Sequence, residues 1–191
     1  NGRFLARVHG PVSGNVLLRR EQYRRADVDA TSAEIARSVL IAKLANSRAV
    51  LLRAARESNE RDTAEALSSA AGELSRAMKG IERQTHLGAL RGMEGEAART
   101  YFGVFDRLIL AQKDDFYFRE RSRRPPLDNM NALLSFIYTL LVHDVVSALE
   151  GVGLDPAVGF LHRDRPGRPG LALDIMEEFR PFLADRLALS L

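Results

Sequence analysis

Hydrophobic residues recur every three to four positions along most of the chain, which predicts amphipathic helices rather than strands. The predicted helices cover residues 31–56, 60–79, 88–111, 129–150 and a last segment that begins near residue 171. Thr31 and Glu34 have the spacing of a capping box, which predicts a helix start at Thr31. Pro181 lacks a backbone N–H group, so it should break or kink the last helix. Residues 26–191 are therefore predicted to form a mainly α domain.

The first 25 residues have a different pattern. The segments "RFLARV" and "VLLRREQY" are predicted to be strands, because the intervening "HGPVSGN" is rich in turn-forming Gly, Pro and Asn. Two strands alone are only marginally stable in water. We therefore expect residues 1–25 to be the end of a β domain whose earlier strands precede this chain.

The chain contains no cysteine, which excludes a disulfide framework and a thiolate metal site. This composition suits a reducing cytoplasm. No secretory signal pattern is visible at the start of the sequence. The longest apolar stretch, residues 132–142, is too short to span a bilayer. We therefore expect a cytoplasmic protein with no membrane partner.

Arginine supplies 25 of the 28 basic residues. The planar guanidinium group binds phosphate through two hydrogen bonds, so abundant arginine is typical of nucleic-acid binding. A genome rich in G and C would produce the same composition without any functional meaning. Many of the arginines lie in two predicted loops, at residues 119–124 and 163–168. Next to the first loop, Phe116, Tyr117 and Phe118 either stack on bases or anchor the loop in the core.

Glu94 lies between Gly92 and Gly95 inside a predicted helix, where each glycine costs about 1 kcal/mol relative to alanine. A helix that is merely solvated has no need of two such residues. The pattern raises the question of what requires free space at the backbone beside Glu94. The simpler alternative is a buried carboxylate paired with Arg91 or Arg99.

One imidazole and two further acids in the last third of the chain are candidate ligands. His162 ends a hydrophobic segment, and Asp174 and Glu177 share one face of the last helix. Periodicity alone would make the two acids a solvated face, and a single histidine at a loop edge is usually a surface residue. Together with Glu94, however, they form an oxygen-rich set with one nitrogen, which suits Mg²⁺ or Mn²⁺.

Several segments closely resemble the CRISPR-associated protein one family, whose members carry out CRISPR adaptation. These segments are "GNVLLRREQY", "KLANSR", "GMEGEAARTYF", "LDNMNALLSFIYTLL" and "GLDPAVGFLHRDRPGRPGLALDIMEEFRP". The resemblance runs through nearly the whole chain and implies a helical catalytic domain preceded by the tail of a β domain. In that family the β domain makes most of the dimer contact, so the resemblance implies a homodimer for the full-length protein.

The resemblance also implies the site residues. Glu94, His162 and Glu177 match the family's metal ligands. Asp174 is the neighbouring acid and a further candidate metal ligand, whereas Glu178 receives no role. The implied DNA contacts are Arg163, Arg165, Arg168 and Tyr138. The tyrosine also lies on an apolar helix face, where its alternative role is core packing with a satisfied hydroxyl group.

The function implied by the resemblance is that of a metal-dependent DNA endonuclease and integrase. Such an enzyme joins the 3′-hydroxyl of a captured DNA fragment (a spacer) to a phosphodiester of the CRISPR repeat, with Mg²⁺ or Mn²⁺ as cofactor. Its implied partners are branched or double-stranded DNA with 3′ ends and CRISPR-associated protein two. The residues alone leave two alternatives: a non-catalytic, arginine-rich nucleic-acid-binding scaffold and a helical interaction bundle.

Overall fold

The computed structural model describes residues 15–191, and most of them are helical. Within this range the α-helices are α1 (Val16–Ala26), α2 (Asp29–Glu57), α3 (Arg61–Arg83), α4 (Leu87–Gly103), α5 (Asn129–Val152), α6 (Gly170–Phe179) and α7 (Arg186–Ser190). A 3₁₀ turn at Phe105–Leu108 follows α4, and a π-helical segment at Arg180–Asp185 joins α6 to α7. The prediction of a mainly α fold is confirmed, and residues 15–191 contain no strand.

The segment after Asn15 is helical, so the prediction of a strand at "VLLRREQY" is wrong. Asn15 accepts hydrogen bonds from the backbone N–H groups of Leu17 (3.0 Å) and Leu18 (3.2 Å), as an N-cap residue does. The segment is also rich in Leu, Arg, Glu and Gln, which favour helices. The predicted strand "RFLARV" and the turn up to Gly14 lie outside the described residues.

The remaining predicted helices are present, but several of their ends differ. α2 begins at Asp29 rather than at Thr31, with Val28 in the N-cap position. The Thr31 hydroxyl group donates to the backbone carbonyl groups of Arg25 (2.6 Å) and Val28 (2.9 Å), so the predicted capping box does not form. The helix that carries Glu94 ends at Gly103 instead of residue 111, because the chain turns there into the 3₁₀ segment.

The last helix changes type at Pro181. α6 ends at Phe179, and the chain continues as the π-helical segment before α7. Proline has no N–H group to donate to the preceding turn, and the wider π-helical turn accommodates it. The prediction that Pro181 interrupts the α-helix is confirmed, although the chain remains helical beyond it.

α2 is the central helix of the described part of the chain. It forms a hairpin with α3 through residues 58–60, and α4, α6 and the π-helical segment pack against it. Its buried face presents Leu40, Leu44 and Leu51, each at most 1% exposed, to these neighbours. The middle of α2 therefore lies close to both α4 and α6, which carry the acidic candidates.

α5 is the one described helix that is long enough and apolar enough to cross a membrane. The longest apolar stretch of the sequence, residues 132–142, is shorter than this helix, which extends over 24 residues. Core helices of soluble proteins have the same length and composition. One face of α5 packs Leu134 and Ile137 into the core, while Phe136 and Leu140 on the other face are exposed.

Candidate active site

Side chains from α4, α6 and the loop between α5 and α6 line a pocket of about 280 Å³. The three predicted metal ligands all contribute to it: Glu94 from α4, His162 from the loop, and Glu177 from α6. The other charged residues that line the pocket are Arg91, Arg163, Arg165 and Arg168. The fold thus brings together acids, an imidazole and arginines from distant parts of the sequence.

His162 is held in one orientation by Asp174. The Nδ1 atom of His162 lies 2.6 Å from Asp174 Oδ1, and the backbone N–H group of His162 donates to the same oxygen at 3.0 Å. The other carboxylate oxygen, Oδ2, accepts from the backbone N–H groups of Phe160 (2.6 Å) and Leu161 (2.9 Å). With Nδ1 engaged, Nε2 is the ring nitrogen available to a ligand, and it lies 3.9 Å from Glu177 Oε1.

Asp174 and Glu177 are both buried, so the solvated-face alternative does not hold. Asp174 is 1% exposed and Glu177 is 2% exposed. The two acids nevertheless differ in what they face. Both oxygens of Asp174 bind the histidine loop, and Asp174 does not line the pocket. Asp174 therefore supports His162, whereas Glu177 reaches the pocket itself.

Lys43 of α2 lies between the two glutamates and is not among the predicted site residues. Its ammonium group forms ion pairs with Glu94 Oε1 and, at 2.7 Å, with Glu177 Oε2. Glu94 is thus paired with Lys43 rather than with Arg91 or Arg99. Within residues 15–191, no three His, Cys, Asp or Glu side chains are grouped closely enough to hold a metal ion.

A sequence signal for Lys43 exists. The chain has three lysines among its 28 basic residues, and Lys43 borders the apolar face of α2 beside Leu40 and Leu44. In a chain that otherwise uses arginine, a lysine at the edge of a buried helix face indicates a specific anionic partner. The identity of that partner depends on helix packing and is not visible from spacing.

Glu177 is held in its ionised form. Burial opposes the ionisation, but the Arg180 guanidinium and the Lys43 ammonium outweigh it and hold the pKa of Glu177 at about 2. Arg180 is ion-paired with Glu177 Oε1. Glu177 Oε2 lies 2.7 Å from Lys43 Nζ, yet this buried oxygen makes no well-directed hydrogen bond. The Lys43 ammonium is therefore the cation that faces Glu177 Oε2.

A buried polar cluster supports Arg180. The Tyr138 ring contacts the guanidinium groups of Arg180 and Arg121, which are 5.1 Å and 5.4 Å from its centre. The Tyr138 hydroxyl donates to Asp185, which also accepts a hydrogen bond from Tyr101 at 3.1 Å. This arrangement matches the packing role considered for Tyr138. Helical periodicity could not reveal the cluster, because its members come from separate helices.

The backbone beside Glu94 is open, and the neighbouring charge is positive. A Cβ atom added at Gly92 or Gly95 would meet no atom within 4 Å, which agrees with room for a close approach. Arg91 ties α4 to the histidine loop, since its Nε atom donates to a backbone carbonyl there at 2.6 Å. Burial and the charge of Arg163 lower the pKa of Arg91, so an anion bound here would relieve repulsion between arginines.

The aromatic residues before the arginine loop have divided roles. Phe118 is 4% exposed and stacks on Phe102 with ring centres 5.6 Å apart, which anchors the loop in the core. Tyr117 is 42% exposed and lies under the Arg119 guanidinium. Of the two, Tyr117 is the one exposed enough to be a candidate for base stacking.

The whole chain, residues 1–191, matches a family model described as "CRISPR associated protein Cas1". It is 59% identical over 202 residues to "CRISPR-associated endonuclease Cas1 2" of Rhodospirillum rubrum. It is 53% identical over 191 residues to "CRISPR-associated endonuclease Cas1 1" of Chlorobaculum tepidum. Each alignment covers 100% of this chain and 56% of the relative, so the chain spans little more than half the length of these curated relatives.

Solved structures share the same architecture. A CAS1 protein from Thermotoga maritima has a TM-score of 0.78 at 30% identity, covering 93% of this chain and 52% of that chain. A chain of a Cas6-RT-Cas1–Cas2 complex has a TM-score of 0.80 at 28% identity, covering 99% of this chain and 20% of that chain. A casposase bound to an integration product has a TM-score of 0.77 at 27% identity, covering 99% and 50% respectively.

Proposed function

Because the chain belongs to the CRISPR-associated protein Cas1 family, we propose that it carries the catalytic site of a divalent-metal-dependent DNA endonuclease and integrase of CRISPR adaptation. The observation that carries the proposal is the pocket in which Glu94, His162 and Glu177 meet beside four arginines. The relatives named as endonucleases and the casposase bound to an integration product support this reaction class. The product of the reaction is a CRISPR array that contains a new spacer.

The pocket residues fit Mg²⁺ or Mn²⁺. Two carboxylates and one imidazole nitrogen make the mainly oxygen donor set that suits these ions. Glu177 Oε2 is buried without a well-directed hydrogen bond, and Asp174 engages Nδ1 of His162 so that Nε2 is left for a ligand. Glu94, His162 and Glu177 would hold the ion, and Asp174 would orient His162.

The bound ion would supply a Lewis acid that activates the attacking oxygen and stabilises charge at the scissile phosphate. In the proposed step a DNA 3′-hydroxyl loses its proton and attacks a phosphodiester of the repeat. A new bond forms between that oxygen and phosphorus, and the bond from phosphorus to the 3′ oxygen of the neighbouring nucleotide breaks. The departing oxygen gains a proton, so the number of phosphodiester bonds is conserved.

The proposed partners follow from the charge of the pocket and from the relatives. Arg91, Arg163, Arg165 and Arg168 would bind DNA phosphates near the 3′ end. A Cas1–Cas2 complex contains a chain similar to this one, which supports CRISPR-associated protein two as a protein partner. We place the reaction in the prokaryotic cytoplasm, and we assign homodimer formation to the full-length protein.

The test is His162→Ala in the full-length protein. The substitution removes one neutral ligand and leaves every arginine in place, so DNA affinity should change little. Nicking and strand joining of a branched DNA in Mn²⁺ should fall by about a hundredfold or more, because a displacement of about 1 Å at a reacting centre has that effect. Activity assays and filter-binding titrations on the same DNA measure the two quantities separately.

Two further variants serve as controls. Glu94→Ala should behave like His162→Ala, whereas Glu178→Ala should be nearly silent because Glu178 is exposed and lies outside the pocket. Nicking at the wild-type rate by His162→Ala would rule out the proposed metal site. If a folded His162→Ala protein lost nicking and binding together, the non-catalytic scaffold would become the better explanation.

A further inference from the structure

Lys43 has an environment that is unusual for a lysine. Its side chain is 12% exposed, and Leu40 and Leu44 beside it on α2 are at most 1% exposed. An ammonium group is strongly hydrated and is rarely buried unless opposite charge accompanies it. Two carboxylates accompany this one, those of Glu94 and Glu177. The position of the ammonium is therefore set by two of the proposed metal ligands.

The ammonium lies where an ion shared by the two glutamates would lie. Its nitrogen contacts Oε1 of Glu94 and, at 2.7 Å, Oε2 of Glu177. Ammonium–carboxylate distances are about 2.7–2.9 Å, and Mg²⁺–oxygen distances are about 2.0–2.1 Å. A divalent ion that binds the same two oxygens needs the same space, and its charge would repel the ammonium. The two cations therefore exclude each other.

We propose that Lys43 is a resident counter-ion, which occupies the ion position in the metal-free protein and is displaced when a divalent ion binds. This inference rests on the proposed function, because it takes Glu94 and Glu177 as metal ligands. In the metal-free protein Lys43 neutralises two acids that would otherwise repel each other, and so keeps the pocket assembled. It also competes with the ion and thereby lowers the affinity of the pocket for it.

The structure offers the displaced ammonium another position. A cavity of about 30 Å³ is lined by Lys43 and by other polar residues, among them Tyr101, Tyr138, Asp185, Arg123 and Arg180. A water molecule needs about 10–15 Å³, so the cavity has room for a polar group. Asp185 supplies a carboxylate oxygen for it. The flexible four-carbon side chain of Lys43 already borders this cavity, which makes the cavity the candidate position for the displaced ammonium.

The first test measures Mn²⁺ affinity in the full-length protein, using the electron paramagnetic resonance signal of free Mn²⁺ in a titration. Lys43→Met keeps the length of the side chain and removes the competing charge, so its dissociation constant for Mn²⁺ should be at least about tenfold lower than that of wild type. Lys43→Arg retains the charge and should stay close to wild type. Lys79→Met is the matched control, because Lys79 is exposed on α3.

The second test measures thermal unfolding of the same variants. Without metal, Lys43→Met should unfold at a lower temperature than wild type, because Glu94 loses its ion pair and Glu177 keeps only the one with Arg180. Saturating Mn²⁺ should then raise its unfolding temperature by more than it raises that of wild type.

A third test uses nuclear magnetic resonance of wild-type protein with ¹³C-labelled lysine, so it does not depend on the folding of a variant. Its Lys43 resonance, identified by its loss in Lys43→Arg, should move on Mg²⁺ saturation.

The outcomes separate the inference from the proposed function. If wild type binds Mn²⁺ but Lys43→Met binds it equally or more weakly, Lys43 does not compete and the inference is overturned alone. An unmoved Lys43 resonance in Mg²⁺-saturated protein leads to the same conclusion. If neither wild type nor Lys43→Met binds Mn²⁺, the proposed metal site and the inference are overturned together.

Discussion

Asp185 is a buried acid that the proposed reaction does not use directly. It accepts hydrogen bonds from Tyr138 and Tyr101, and the guanidinium groups of Arg180 and Arg121 attract it. Burial has the larger effect and raises the pKa of Asp185 from 3.8 to about 6. The folded protein therefore binds a proton at this carboxyl group more tightly than the unfolded chain does.

We predict that Asp185→Asn alters how stability depends on pH. Between about pH 4 and pH 6 the folded state holds a proton that the unfolded state has lost, so the contribution of Asp185 to the free energy of unfolding falls as pH rises. The full change is on the order of 2–3 kcal/mol and is absent in the variant. Urea denaturation from pH 4 to pH 7 measures the free energy of unfolding of both proteins. The value for wild type minus the value for the variant should decline as pH rises and then level off. A pH-independent difference would contradict the raised pKa.

The loop before α6 is held against that helix by backbone contact at two glycines. A Cβ atom added at Gly159 would lie 2.7 Å from the carbonyl carbon of Gly170 and 2.9 Å from Oδ2 of Asp174. That oxygen is the one that binds the backbone of Phe160 and Leu161, just before the histidine. The position of the proposed imidazole ligand thus depends on the absence of a side chain at Gly159.

Gly159→Ala should therefore push the loop away from α6. We expect the free energy of unfolding to fall by about 1–3 kcal/mol, because backbone atoms must move to relieve the overlap. Nicking should fall more than DNA binding, because His162 moves with the loop. Gly151→Ala near the end of α5 is the matched control: its added Cβ meets no atom within 4 Å, and alanine should raise stability by up to about 1 kcal/mol. If Gly159→Ala and Gly151→Ala had similar free energies of unfolding, the contact at Gly159 would have enough space for a side chain.

The helices could be predicted to different degrees from the sequence. α2, α3, α4 and α5 each bury one face, so their apolar spacing indicates them directly. α1 could not be recognised in this way, because Asn15 suits a turn as well as an N-cap. Its docking depends on Gln22, whose side-chain amide donates to the carbonyl groups of Asp155 and Val158, at 2.8 Å each. Such long-range contacts leave no periodic pattern.

At the scale of the whole molecule, the candidate site also depends on long-range contacts that the sequence pattern does not reveal. Glu94, His162 and Glu177 were assigned through family resemblance, and the fold brings them to one pocket. Lys43 and Asp185 were missed because their partners lie on other helices, and only packing makes them neighbours. The charge that surrounds an acid, unlike the acid itself, is a property of the assembled molecule.

The arginines around the pocket lead to a prediction about DNA binding by the whole protein. Each phosphate that is neutralised contributes about −0.9 to the slope of log affinity against log salt concentration. The combined substitution of Arg163, Arg165 and Arg168 by alanine should therefore make the slope shallower by about 2 to 3. A filter-binding series at increasing salt concentration measures it.

Three arginines on α3 provide a control with the same loss of charge. The control substitutes Arg61, Arg76 and Arg83, which are exposed and do not line the pocket. Their replacement should leave the salt slope nearly unchanged if phosphates bind at the pocket. Equal slopes for the two triple variants would assign the phosphate contacts to another surface or to a diffuse attraction.

The π-helical segment Arg180–Asp185 changes the angular phase of the side chains that follow it. In a regular α-helix each residue advances the rotation by about 100°, so position 185 would point about 80° away from Glu177. A single π turn absorbs about one residue, which returns Asp185 to within about 20° of the Glu177 direction. Asp185 consequently shares an azimuth with the proposed ligand and meets Tyr101 and Tyr138 there. The wider π-helical turn thus rotates the Asp185 side chain about the helix axis. If the segment were a regular α-helix, this carboxylate would point towards different neighbours.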